Sequence, residues 1–168
     1  GILEKQYPAI KSMRPAGRLD AQFNLRGNPA DFKSCYLQAE FAGNNFSLYG
    51  LNVESLSLDF LQDQKIAKIP AMRAAIYDGL IEGSGALNLD TANFAYQLKL
   101  KADGIKLERL KMDTQAKDKN ISGTLFGELK LNGSSGDLSK LSGAGSFAIS
   151  QGRLWELAGL CGRDARVP

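Results

Sequence analysis

The stretch Gly17-Arg-Leu-Asp-Ala-Gln-Phe-Asn-Leu-Arg-Gly27 contains the pattern that decides the fold. Apolar and polar residues alternate without interruption between its two glycines. The apolar positions are Leu19, Ala21, Phe23 and Leu25, and every residue between them is charged or carries an amide. A period of two residues bounded by glycine predicts a β-strand with one buried and one solvated face.

The same alternation recurs along the rest of the chain, at 35–41, 56–60, 81–89, 94–101, 125–131 and 147–149. The polar turn Asp90-Thr-Ala-Asn93 joins two of these runs and predicts a hairpin. Helical spacing is rare: 104–112 is readable as a short helix or an extended link, and 154–160 predicts one weak helix. The predicted fold class is therefore all-β, a curved antiparallel sheet or β-groove of repeated strand units with one or two short helices.

Composition limits both the size and the chemistry of the protein. The 168 residues suffice for one domain, 43% of them are hydrophobic, and the formal net charge of +3 is too small to predict nucleic-acid binding. The chain has no histidine, which excludes Ser-His and Cys-His nucleophiles and every His-bearing metal site. The two cysteines, Cys35 and Cys161, cannot build a metal cluster, so no cofactor and no metal are predicted. Cys35 lies on an apolar strand side and is interpreted as a small core residue, although a disulfide with Cys161 stays open.

Catalysis is not predicted. No spacing of the acidic residues singles out a carboxylate pair of the kind that glycosidases use. The glycines of Gly83-Ser-Gly85 and Gly143-Ala-Gly145 lack the remaining residues of a phosphate-binding loop. Seven basic residues between 99 and 119 are interpreted as a solvated face, with contact to anionic lipid headgroups as the alternative.

Two segments of the chain align without a gap at a spacing of 106 residues, 17–48 and 123–154. Each predicts a strand, a glycine turn, a short connection that contains an aspartate, and a second strand. We therefore expect an internal repeat within a single fragment, 1–168, of a repeating β-groove region. Because the chain begins with Gly1 and contains no apolar run of about 20 residues, we also expect an anchoring segment to lie outside it.

The predicted strands leave an apolar side that no predicted helix can cover. Such a sheet can close on itself as a sandwich or barrel, or it can form a trough whose lining binds something other than protein. The pattern alone leaves these alternatives open.

Three stretches resemble a known family. They are Ile76-Tyr-Asp-Gly-Leu-Ile-Glu-Gly-Ser-Gly-Ala-Leu-Asn-Leu-Asp90, Ile121-Ser-Gly-Thr-Leu-Phe-Gly-Glu-Leu-Lys-Leu-Asn-Gly133, and Leu141-Ser-Gly-Ala-Gly-Ser-Phe-Ala-Ile-Ser-Gln-Gly-Arg-Leu-Trp155. Their strand-turn pattern is similar to the C-terminal-type region of AsmA-like proteins, the AsmA, TamB and YhdP-like group of Gram-negative envelope proteins. The resemblance runs from about Arg14 to Leu160. It implies a periplasmic β-groove, anchored to the inner membrane, that carries phospholipid in outer-membrane biogenesis.

Pattern and resemblance together predict a non-enzymatic hydrophobic groove. Its expected partners are phospholipid acyl chains and neighbouring β-groove units of the parent chain, with no nucleic acid. The alternative is a structural β-sandwich or solenoid module that docks a partner protein in the envelope and carries no lipid. The residues predicted to line the groove are Leu19, Phe23, Leu25, Leu87, Leu89, Phe94, Tyr96, Leu98, Leu100, Leu125, Leu129, Leu131, Phe147 and Ile149.

Overall fold

The computed structural model describes residues 16–153 except 29, 49, 91–93 and 135–136. It contains eight strands: β1 (Ala16–Arg26), β2 (Tyr36–Leu48), β3 (Leu51–Asp63), β4 (Ile66–Ile76), β5 (Gly79–Asn88), β6 (Ala95–Lys106), β7 (Ser122–Ser134) and β8 (Asp137–Arg153). One helix, α1 (Leu107–Met112), follows β6, and a single 3₁₀ turn (Phe32–Ser34) precedes β2. The predicted weak helix at 154–160 lies outside the described residues.

All eight strands form one sheet in the order β1-β2-β3-β4-β5-β6-β7-β8, and every neighbouring pair is antiparallel. The all-β antiparallel class is confirmed, as is the 81–101 hairpin. Of the two interpretations of 104–112, the helix applies to 107–112, and the residues before it belong to β6. The sheet is open, because β1 and β8 lie at opposite ends of the strand order. It is uncurled, rather than curved into a groove as the sequence predicted. The described residues therefore form a broad layer, and neither a sandwich nor a barrel.

The connection from β4 to β5 is a two-residue turn. Tyr77 and Asp78 both have positive φ, 50° and 60°, between the paired residues Ile76 and Gly79. Such a turn matches the twist of the strands, but it usually contains asparagine or glycine. Here Tyr77 is buried and its carbonyl accepts a hydrogen bond from the Lys106 N–H at 2.9 Å. Tertiary contacts thus stabilise a backbone conformation that the two side chains disfavour.

The β1–β2 and β7–β8 hairpins have the same register at an offset of 106 residues. Ala16 pairs with Ser47 and Arg18 with Asn44, just as Ser122 pairs with Arg153 and Thr124 with Ser150. Each hairpin has a bulge at a glycine of positive φ, Gly17 at 117° and Gly123 at 126°. Opposite these bulges, Asn45 and Gln151 also have positive φ. This recurrence is what a repeat of 17–48 in 123–154 would produce.

The buried hydrophobic cluster lies at one end of the sheet, whereas Cys35 and Ala67 are buried toward the other end. Val53, Ala74, Ile76, Tyr77 and Ile105 form one buried cluster, and Leu110 of α1 packs against it. We call this cluster together with α1 the closed end. Cys35 is also fully buried, as predicted for a small core residue, and its thiol is free.

Candidate functional site

Strand register places most of the large apolar residues of the eight strands on one side of the sheet, although Leu61, Leu80 and Phe126 lie on the other. Directly opposed residues form rows that cross the whole sheet from β1 to β8. One row is Ala21, Phe41, Leu58, Met72, Gly83, Leu100, Leu129 and Gly145, and the next is Leu19, Gly43, Leu56, Ala74, Ile81, Ala102, Gly127 and Phe147. We call this side the apolar face. At about 4.8 Å per strand it is about 34 Å wide.

Apart from α1, which packs on the closed end, no second layer of the described residues covers the apolar face. Phe23 on β1 is 74% exposed and Phe147 on β8 is 78% exposed, and Leu19 is more than half exposed. The leucines of β6 lie between these edges and are half-buried. Contiguous exposed apolar area of this extent marks a binding surface in a water-soluble domain.

Close contacts over glycines make the middle of this face smooth. The phenol of Tyr96 lies directly over Gly133, where an added Cβ would come within 2.6 Å of its oxygen. In the same way, the side chain of Leu100 lies over Gly83 on the neighbouring strand. Large side chains can therefore lie along the sheet instead of standing away from it, which leaves an even apolar surface.

Two shallow depressions interrupt the apolar face. One, of about 240 Å³, lies beside Phe60, Ile69, Gly85 and Leu98. The other, of about 440 Å³, lies beside Leu100, Leu125, Leu129 and Phe147. Both are lined mainly by carbon, although Lys101 and Glu128 border the larger one and Lys68 borders the smaller. Such depressions suit flexible hydrocarbon rather than one rigid ligand.

The other side of the sheet, which we call the polar face, is charged. One of its rows contains Arg73, Glu82, Lys101 and Glu128 on β4 to β7, and Arg73 forms an ion pair with Glu82 at 3.3 Å. The basic residues that the sequence groups together are dispersed by the fold. Lys99 and Lys101 lie on the polar face, whereas Arg109 on α1 pairs with Glu54 and Asp78.

A hydrogen-bonded clasp fastens the turn after α1 to the closed end. The Tyr77 hydroxyl donates to Asp113 Oδ2 at 2.7 Å, and Asn52 donates to the same oxygen from its side-chain amide at 2.7 Å. Burial, followed by the hydrogen bond to Asp113, raises the pKa of Tyr77 to about 12. The hydrogen bond donated by Tyr77 lowers the pKa of Asp113. The clasp therefore combines a protonated phenol with a charged carboxylate, which is a structural rather than a catalytic arrangement.

The structure brings most of the predicted lining residues together. Twelve of the fourteen lie on strands with their side chains on the apolar face: Leu19, Phe23, Leu25, Leu87, Tyr96, Leu98, Leu100, Leu125, Leu129, Leu131, Phe147 and Ile149. The other two, Leu89 and Phe94, lie beside the β5–β6 turn and outside both strands. The role of all fourteen residues as a lining for lipid stays a prediction.

The predicted lining omits several residues of the apolar face on β2, β3 and β5. Phe41, Leu58, Phe60 and Ile81 belong to alternating runs that the sequence does contain, and their periodicity could have placed them there. The alternation of apolar and polar residues does not identify Met72, because it does not predict β4. Register shifts between Ile69 and Met72, so the period of two is broken within β4 at Pro70.

The described residues contain no group of His, Cys, Asp and Glu side chains that could hold a metal ion. In the same part of the chain, no helix has the length and hydropathy needed to cross a bilayer, and α1 has only six residues.

Comparison with known proteins identifies one family. A search of curated proteins and a search of solved structures each gave no match. A family model, that of the AsmA family, matches residues 15–157, nearly the whole of the segment in which the sequence shows the resemblance. This family is associated with the bacterial envelope and with a role related to lipid transport there, and it is not known as enzymatic. Since the match covers most of the 168 residues, the protein belongs to the AsmA family.

Proposed function

We propose that this chain is a non-enzymatic segment of a periplasmic protein anchored to the inner membrane, and that its apolar face carries phospholipid acyl chains in outer-membrane biogenesis. The observation that supports this most directly is the register itself. Eight consecutive strands direct most of their apolar residues to one side, and beyond the closed end no described residue covers that side. Family membership supports the envelope setting.

The physical role of the apolar face is to lower the cost of moving lipid through water. Exposing a methylene group costs about 0.8 kcal/mol, so an acyl chain of about 14 methylenes costs about 11 kcal/mol. Leucine and phenylalanine side chains remove much of that cost when acyl carbon lies against them. The headgroup stays in water beyond the edge of the sheet, so the site needs no polar pocket and no covalent chemistry.

Strands β6 and β7 provide a matched test of this proposal. Leu98 and Leu131 are directly opposed on the apolar face, and the adjacent pair of Gln97 and Asn132 is directly opposed on the polar face of the same two strands. We expect Leu98→Asp with Leu131→Asp to abolish phospholipid that copurifies with the chain, as measured by native mass spectrometry and lipid extraction. The control, Gln97→Asp with Asn132→Asp, adds the same charge to the other face and should retain the lipid.

Because the two leucines are half-buried, replacing them also tests the fold. A second variant at exposed positions separates loss of lipid binding from loss of the fold. Phe23→Asp with Phe147→Asp changes two exposed side chains and should also reduce bound lipid while circular dichroism stays unchanged. If both folded variants retain wild-type lipid, the proposal is wrong. A chain that instead captures a specific envelope protein through this face, without lipid, would support the docking-module alternative.

A further inference from the structure

The polar face contains two pairs of like charges that no neighbouring side chain neutralises. Glu40 and Asp59 are directly opposed on β2 and β3, and Lys99 and Lys130 are directly opposed on β6 and β7. All four are exposed, and none of them belongs to an ion pair within the described part of the chain. Like charges directly opposite each other destabilise a sheet. No ion pair among the described residues compensates either pair.

The two pairs are placed symmetrically in the sheet. Gln22, Glu40 and Asp59 are directly opposed in sequence, as are Ser84, Lys99, Lys130 and Ala144. Asp59 and Ser84 each lie two residues from the row that joins Ser57, Arg73 and Glu82, so the two sets share one row across the register shift in β4. The acidic pair occupies the second and third of eight strands, and the basic pair occupies the sixth and seventh. Each pair therefore lies about 10 Å from the line between β4 and β5, on opposite sides of it.

This symmetry points to a second copy of the same chain as the partner of the polar face. Consider two copies with their polar faces together and a two-fold axis between them, parallel to the strands and above the line between β4 and β5. This axis places β2 of one copy opposite β7 of the other, and β3 opposite β6. Glu40 and Asp59 of one copy then face Lys130 and Lys99 of the other, and the reverse holds at the same time. We infer that the chain forms a back-to-back dimer through its polar faces, held in register by these two reciprocal sets of charges.

The neighbouring row agrees with this arrangement. The same axis places Arg73 of one copy opposite Glu82 of the other, and it places Lys101 opposite Ser57 and Glu128 opposite Ala42. No like charges meet in either row. At the axis the row that contains Glu40 and Lys99 presents Ser84 on β5, and a small side chain there permits close approach of the sheets. A face about 34 Å wide and about 30 Å long exceeds the roughly 800 Å² that each partner contributes to a stable interface.

The inferred dimer is independent of the cargo proposed above. Back-to-back packing directs both apolar faces outward, so association through the polar face neither needs lipid nor blocks its binding. Association through the apolar face would do the opposite, because it would cover Phe23 and Phe147. The two modes of self-association are therefore separable by mutation.

The test measures the dissociation constant of the full chain by sedimentation equilibrium. We expect a dimer in about 0.05 M NaCl that weakens in about 0.5 M NaCl, because salt screens the ionic contacts that hold it in register. Lys99→Glu with Lys130→Glu places four acidic side chains against each other and should weaken the dimer about tenfold or more. The four-site exchange, which adds Glu40→Lys and Asp59→Lys, restores opposite charges and should restore the dimer.

The matched control is Lys117→Glu with Lys119→Glu, which makes the same change in net charge in the turn after α1 and should leave association unchanged. The inference is overturned if the wild-type chain stays monomeric at low salt, if the Lys99 and Lys130 reversal associates normally, or if the four-site exchange does not restore the dimer. A dimer that is abolished instead by Phe23→Asp with Phe147→Asp associates through its apolar face, which would also overturn it.

Discussion

The closed end and the apolar face are built from similar side chains and differ in what covers them. At the closed end Ile105 is 3% exposed, and Ile76 and Tyr77 pack around it beneath Leu110 of α1. Across the apolar face, leucines and phenylalanines at the same alternating positions remain half-buried or exposed. Alternation of apolar and polar residues along strands is therefore not sufficient to form a buried core. We expect stability to depend mainly on the closed end, which leaves the apolar face free to bind.

The largest expected effect contrasts one residue from each region. Ile105→Ala should lower the free energy of unfolding by about 2–5 kcal/mol, because it leaves a cavity in a packed cluster. Phe147→Ala, on the apolar face, should change it by no more than about 0.5 kcal/mol, because its ring is 78% exposed. Urea unfolding followed by circular dichroism measures both. Equal losses for the two variants would remove the proposed contrast.

A second comparison uses glycines. An added Cβ at Gly79 would lie 2.6 Å from backbone atoms of Gly104 and Ile105, which cannot move without disturbing the closed end. We expect Gly79→Ala to destabilise by about 1–3 kcal/mol. At Gly85 the nearest atom is the Gln97 carbonyl oxygen at 3.2 Å, and Gly85→Ala should stay within about 1 kcal/mol of wild type. Thermal unfolding of the two variants measures both losses of stability. A larger loss for Gly85→Ala than for Gly79→Ala would contradict the expectation.

The smallest expected effect concerns the clasp. Tyr77→Phe removes the hydroxyl that donates to Asp113, and should cost about 1–2 kcal/mol at neutral pH. Tyr96→Phe, on the apolar face, is the control and should cost less. Equal losses in urea unfolding would mean that the clasp adds no stability.

The clasp also predicts how stability depends on pH. Because the pKa of Tyr77 is raised from 10.0 to about 12, its contribution is fully present below pH 10 and is lost as the pH rises toward 12. Because the pKa of Asp113 is lowered, its contribution is present above its ordinary value of 3.8 and is lost as the pH falls through the folded-state pKa. Tyr77→Phe should therefore flatten the alkaline fall in unfolding free energy. An alkaline slope identical to that of wild type would show that Tyr77 does not cause it.

The part of the fold that follows from local periodicity could be predicted from the sequence. The run from Leu19 to Leu25 identifies β1 and its apolar side, and the same reasoning applies to β6 and β7. The reasoning fails at β4, where the bulge beside Pro70 shifts the alternation by one residue. It also fails for the clasp, since Tyr77 and Asp113 are 36 residues apart in the sequence and no periodic signal links them.

The candidate site also has a part that follows from alternation within each strand and a part that does not. Which residues face the apolar side follows from alternation within each strand, so residues such as Leu98 and Leu131 were within reach. Whether that side is covered is a property of the whole sheet, and alternation leaves a sandwich, a barrel and an open layer equally allowed. The opposed charges of Glu40 and Asp59 need the register between strands, which no single run contains.

The neighbour-to-neighbour strand order has a consequence for how the molecule is made. Since each strand pairs only with those just before and after it in the chain, forming the sheet closes only short loops. Low contact order of this kind favours rapid folding. A polypeptide delivered amino terminus first could add one ribbon at a time to a growing edge, without waiting for distant residues to arrive. Assembly could then keep pace with synthesis or export.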